Sequence, residues 1–227
     1  MNEATAQLLQ RRFPFWVAFV TVFAALGYAG NFAADDDGDR ERDLLYQWST
    51  AIAGLIQYAV IAVIVLLIVR GVPRADLGFR APDSWRRALA SIGIGLVGIW
   101  VLAGALGQFL DAGDEQGLVP KDWDSSRWLP FLANAVVVAG VAPVVEELAF
   151  RGVGFATTTA RFGTTVAVVV TGIAFGLAHG LLVALPVLAA FGLILGWVRA
   201  RTASVYPPMI LHGLFNGVAL IAAAATG

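Results

Sequence analysis

Apolar residues run along this chain in long blocks separated by short polar clusters, with little of the two-residue alternation that marks a half-buried strand. The stretch from Ala59 to Val69 is uninterruptedly apolar. Seven blocks approach the roughly 20 helical residues needed to cross a hydrocarbon layer about 30 Å thick: residues 14–34, 48–69, 88–110, 129–155, 164–180, 184–199 and 204–224. Lipid offers nothing to bond a free backbone N–H or C=O, so spanning segments are helices or closed barrels. Barrel strands would show alternating segments of about ten residues. The pattern predicts an all-α, polytopic transmembrane bundle of about seven helices, within bounds of six to eight.

Composition sharpens this picture. Hydrophobic residues make up 59% of the chain and charged residues 14%, and the mean hydropathy is +0.77. These values lie far from the soluble range and define a multi-pass membrane protein in contact with the lipid bilayer. The absence of cysteine excludes a thiol nucleophile, a disulfide framework and thiolate metal sites together. A net charge of −1 carries no information about partners, and without a nucleotide-binding motif nucleic acid is not expected among them. Arg11 and Arg12 ahead of an apolar stretch imitate a signal peptide, but the stretch is long and lacks a small-x-small cleavage site, so it reads as an uncleaved first span.

Basic residues mark the cytoplasmic loops. With the N-terminus in the cytoplasm, Arg11, Arg12, Arg70, Arg74, Arg80, Arg86, Arg87, Arg151, Arg161, Arg199 and Arg201 fall inside, eleven of the fifteen. Arg40, Arg42, Lys121 and Arg127 fall in two acidic outer loops, 35–43 and 111–124. Seven spans then put the C-terminus outside. The Lys-poor, Ala/Val/Arg-rich composition points to a bacterial plasma membrane.

The character of the chain changes near residue 128. Residues 1–128 hold three spans without interior charge and an amphipathic linker with Pro73, Leu77, Phe79, Pro82 and Trp85, read as a short interfacial segment. Residues 129–224 hold four spans and every unusual intramembrane group. Ionisable groups at that depth are expensive and mark function by default. Glu146 and Glu147 follow Pro143, which should kink or restart the helix and aim them into the bundle.

Glu147 and Arg151 stand at i and i+4, so a helix places them on one face as a favourable pair. Glu146 points about 100° away, and one arginine does not satisfy both acids. Two close carboxylates in a low dielectric favour one that accepts a proton near neutrality, as a general base must. Phe175 with His179, and His212 with Asn216, are also at i and i+4. The histidines can orient water, polarise a carbonyl or bind metal, and Asn216 can donate to an oxyanion. There is no Gly-x-Ser-x-Gly elbow, no intramembrane aspartate dyad and no His-Glu-x-x-His. The surviving protease chemistry is water activated by glutamate, with or without metal.

Glu146-Glu147-Leu148-Ala149-Phe150-Arg151, Phe175-Gly176-Leu177-Ala178-His179 and His212-Gly213-Leu214-Phe215-Asn216 match Glu-Glu-x-x-x-Arg, Phe-x-x-x-His and His-x-x-x-Asn. In order and setting the chain resembles the CPBP family of intramembrane proteases, named for CAAX proteases and bacteriocin processing and also called Abi, over about residues 129–220. The resemblance implies a CAAX-protease-like core in which Glu146 activates water, Glu147 holds and polarises His179, and His212 and Asn216 bind the developing oxyanion. Arg151 and Phe175 would support them. It leaves open a zinc or other divalent ion, with Glu146, His179 and His212 as ligands, or a metal-free reaction. The expected substrate is a peptide precursor or membrane-protein segment. Two rival readings are a non-catalytic partner or bacteriocin self-immunity protein that retains the motifs, and a proton-coupled transporter, although paired broken helices in inverted repeats are not seen.

One distance resists simple topology. Counted from Arg201, His212 is about 16 Å into the membrane, whereas His179 is about 27 Å from Arg161. The two meet only if the fourth helix and the following turn project past the membrane.

Overall fold

The structure, a computed structural model, describes residues 2–33, 44–107, 109, 110, 115 and 123–226. Seven long helices carry the fold: α1 Glu3–Ala33, α2 Trp48–Ile68, α3 Trp85–Leu106, α4 Ser125–Phe162, α5 Thr164–Ala178, α6 Leu185–Thr202 and α7 Tyr206–Thr226. No strand occurs among the described residues. Six of the seven are long and apolar enough to cross a bilayer; α5, at 15 residues, is shorter. Glycines bound it at both ends, Gly163 at φ +87° and Gly180 at φ +69°, in backbone conformations that a side chain disfavours. The fifth apolar block is therefore a helix held between two tight turns rather than a full-length span. The outward faces of the bundle are apolar, with Leu26, Ile56, Val97 and Ile221 exposed, and this is the inside-out pattern of an integral membrane protein.

α4 dictates the architecture. At 38 residues it would reach about 57 Å as an α-helix, well beyond a hydrocarbon layer. α1 begins near Glu3, eleven residues before the apolar block does, because Thr5, Leu9, Trp16 and Val20 form a buried stripe along it. That stripe packs against the far end of α4, where Gln10 Nε2 donates to Ala160 O at 2.7 Å. α1 thus accompanies α4 to its end beside the α4–α5 turn, and His179 and His212 come to line one cavity. At the opposite end Asp124 caps α4. Its carboxylate accepts from Ser126 N (2.8 Å), Ser126 Oγ (2.6 Å) and Arg127 Nε (2.6 Å). The Ser126 hydroxyl bond and then Arg127 pull its pKa down to about 2. The cap therefore stays ionised above that pH and is lost only as the pH falls through it.

α5 and α6 approach closely through Gly172, Gly176, Gly192 and Gly196, two small-xxx-small patterns meeting face to face. A Cβ on Gly192 would collide with Gly172 O, and one on Gly176 would stand 2.8 Å from Ala189 N. Gly192→Leu is accordingly expected to force the pair apart and lower stability by about 1–3 kcal/mol or more, the range for overpacking. Thermal unfolding of the detergent-solubilised protein checks this.

The linker between α2 and α3 does not hang loose at the end of the bundle. Leu77 is buried, Gly78 O accepts from Val205 N at 3.0 Å, Arg80 Nε donates to Ala203 O at 3.0 Å and Ser204 Oγ donates to Arg80 O at 2.6 Å. The linker supplies partners for the backbone of the tight α6–α7 turn, whose Ala203 has φ 53°. Nor do all eleven arginines mark a loop. Arg151 is fully buried and Arg199 is 7% exposed, so both are interior groups with structural partners. Arg40, Arg42 and Lys121, and most of the two outer loops, lie outside the described residues.

Candidate active site

The glutamates sit on a short α-helical stretch, Ala142–Glu147, between two wider π-helical stretches of α4, Val137–Val141 and Leu148–Gly154. Such insertions re-aim side chains and frequent functional sites. Pro143 accounts for the first. In the wide register Ala142 N bonds Val137 O, and the next bond, to Val138 O, would need the N–H that Pro143 lacks. Asn216 Nδ2 supplies it at 2.9 Å. The expected kink is thus a change of helical pitch, repaired by a side chain from α7.

Glu147 and Arg151 are both completely buried and pair at 3.0 Å. Arg151 Nη2 also donates to Gly192 O at 2.7 Å, and its guanidinium lies 4.7 Å from the centre of the Phe175 ring. The same Glu147 Oε1 receives His212 Nδ1 at 3.2 Å. Glu146 turns the other way. Its Oε1 accepts from Tyr58 Oη of α2 at 2.7 Å, and its Oε2 lies 3.8 Å from His212 Nε2. At 16% side-chain exposure it is the accessible acid of the two.

His179 caps the C-terminal end of α5, with Nδ1 2.7 Å from Phe175 O. A carbonyl only accepts, so the proton sits on Nδ1 and Nε2 keeps its lone pair. This differs from the arrangement the resemblance implies, in which Glu147 would hold His179; here Glu147 holds His212. The reason is local. The last carbonyls of a helix lack main-chain donors, and the His179 ring folds back onto one of them, while Glu147 faces Arg151 and α7. Phe175 separates the imidazoles, 4.7 Å from His179 and 5.5 Å from His212 between ring centres.

Two cavities meet here. One of about 470 Å³ lies among α1, α2, α4 and α5, with Phe19, Phe23 and Ile61 in its wall. The other, about 500 Å³, lies among α4, α5, α6 and α7 and includes Phe191, His212 and Asn216. Tyr58, Glu146 and His179 border both. The N-terminal region therefore helps to build the site. α1 also fastens the turn after His179, where Gly27 lies against Gly180 and Asn31 Nδ2 donates to Gly180 O at 3.3 Å. Trp16 Nε1 ties α1 to Ala149 O at 3.0 Å.

The structure thus gathers Glu146, Glu147, Arg151, Phe175, His179, His212 and Asn216 around one centre. Tyr58 is the residue that sequence reasoning missed. Its signal is the pair Gln57-Tyr58, an amide and a phenol in the middle of an otherwise apolar span. The candidate metal ligands Glu146, His179 and His212 do not form a donor cluster. Among the described residues no three His, Cys, Asp or Glu side chains come together to hold an ion.

Because Tyr58 grips the accessible acid, Tyr58→Phe is expected to lower turnover about tenfold, the value of one hydrogen bond to a charged group, and to leave substrate affinity and thermal stability nearly unchanged. Steady-state kinetics beside a melting curve checks it.

Comparison with known proteins supports the reading of the motifs. Residues 128–218 match the family described as Type II CAAX prenyl endopeptidase Rce1-like. The chain is 26% identical over 210 residues, 86% of its own length and 78% of the relative's, to a protein of Bacillus subtilis (strain 168) named "Putative membrane peptidase YdiL". No solved structure matches it. The chain is an integral, multi-pass membrane protein with six helices long and apolar enough to cross a bilayer, and over its motif-bearing part it is similar to CAAX-type membrane proteases.

Proposed function

We propose that the protein is an endopeptidase that cleaves a membrane-associated peptide precursor or a membrane-protein segment with water activated by Glu146. The observation that carries this reading is the state of the Glu146 carboxylate. One oxygen is fixed by Tyr58 and the other faces His212 where the two cavities join. A water held by Glu146 Oε2 and the lone pair of His179 Nε2 gives its proton to Glu146 as its oxygen attacks the scissile carbonyl carbon. The resulting oxyanion is met by His212 and by the second amide hydrogen of Asn216, whose first is spent on Val138 O. Glu146 then returns the proton to the departing nitrogen and the C–N bond breaks.

No step is routed through a metal ion, since the donor set does not converge on one. Activity in detergent is therefore expected to survive prolonged treatment with EDTA or 1,10-phenanthroline, measured as product formed per unit time with and without added zinc. The placement proposed is a bacterial plasma membrane with the N-terminus in the cytoplasm, following the arginine bias.

The experiment that tests the proposal compares new protein termini in membranes and medium from host cells making the wild type or Glu146→Gln at matched levels. Termini that appear only with the wild type identify substrates and cleavage sites. Identical termini, with both proteins folded, would replace the peptidase reading by a non-catalytic one.

A further inference from the structure

A third cavity, of about 290 Å³, opens at the arginine-rich end of the bundle, away from the glutamates and histidines. Its wall combines the α2–α3 linker, the far part of α4, the start of α5 and the end of α6, with Arg80, Arg199, Asp76, Thr159, Thr164 and Phe155 among the lining residues. Arg199 stands out. It is 7% exposed, its Nε donates to Arg151 O at 3.0 Å and its guanidinium lies 4.9 Å from the Phe155 ring centre. Gly78 leaves it the space to sit flat, since a Cβ there would stand 2.5 Å from Nη2. Its terminal nitrogens hydrogen-bond to no described residue, and no described carboxylate forms a salt bridge with Arg199 or Arg80.

A guanidinium withdrawn from water without an acid is costly, and a second one, Arg80, lines the same small cavity. The Thr159 hydroxyl beside them is buried and lacks a hydrogen-bond partner among the described residues. Two guanidinium forks and a free hydroxyl around a small cavity are a donor set for tetrahedral oxyanions. We propose that this cavity binds a phosphate group at the membrane surface, from the headgroup of an anionic phospholipid or from free phosphate. Basic pockets between helices near a bilayer surface suit headgroups. The Arg199 bond to Arg151 O joins the cavity to the helical segment that carries the Glu147 partner, so occupancy also steadies α4 beneath the acids.

The test uses the full chain in maltoside micelles, with native mass spectrometry and thermal unfolding. Dioleoylphosphatidylglycerol, dioleoylphosphatidylcholine and inorganic phosphate are added separately at constant ionic strength. The expected result is one phosphatidylglycerol per chain, retained under activation that strips phosphatidylcholine, with a raised melting temperature. Arg80→Gln, at an exposed position, should weaken that binding about tenfold. Arg199→Gln should do the same where it folds, and Arg201→Gln, outside the cavity wall, should not. Stabilisation by phosphate alone, lost in Arg80→Gln, assigns the site to a soluble anion. Failure of both probes to bind overturns the proposal. So does binding that Arg80→Gln leaves intact, or that Arg201→Gln weakens equally.

Discussion

Glu146→Gln is expected to reduce peptide-bond hydrolysis by about 10²–10⁴-fold, the range for losing a general base, while the protein keeps its melting temperature. The substitution is nearly isosteric. The glutamine carbonyl can still accept from Tyr58 Oη, the bond that orients the side chain at 2.7 Å, and at 16% exposure the amide is not trapped without partners. What disappears is the site for a water proton. Single-turnover rates on a peptide found by the terminus comparison, measured beside a melting curve, separate the two effects. A variant that retains activity within a factor of a few would move the base elsewhere, with His179 next in line because its Nε2 lone pair borders the same two cavities.

The neighbouring acid should fail in the opposite way. Glu147→Gln leaves the fully buried Arg151 facing a neutral amide, and breaking one side of a buried ion pair costs about 3–5 kcal/mol. Much of that is the penalty of a stranded charge, so a variant without either charge, Glu147→Gln with Arg151→Met, should recover most of the loss in stability. It should not recover activity, because His212 Nδ1 loses the carboxylate it meets at 3.2 Å. Chemical denaturation of the two single variants and the double variant measures the coupling. Equal and additive losses would mean that Glu147 and Arg151 do not act as a pair.

The contrast shows where the sequence was legible. The spacings of Glu147 with Arg151, Phe175 with His179 and His212 with Asn216 are local facts about helices, and all of these residues line or support one centre. The helices themselves followed from apolar blocks, because lipid leaves the backbone no alternative. What could not be read depends on contacts between distant segments. Tyr58 lies 88 residues from the acid it grips. The first ten residues of α1 look like a polar overhang until the far end of α4 is present to receive Leu9. His179 takes its partner from its own last turn rather than from Glu147, an outcome that a helix end, not a motif, decides. The short α5 was overestimated because hydropathy does not register where glycine turns stop a helix.

The fastening of the His179 turn by α1 bears on how this protein can be divided. The family match spans residues 128–218, yet Gly27, Asn31, Trp16 and Tyr58, which brace or complete the centre, all precede it. The motif-bearing half is not a module that can be excised, grafted or exchanged between relatives by itself. A chimaera would inherit the glutamates and histidines but not the walls that set their spacing, and its first two helices must travel with them.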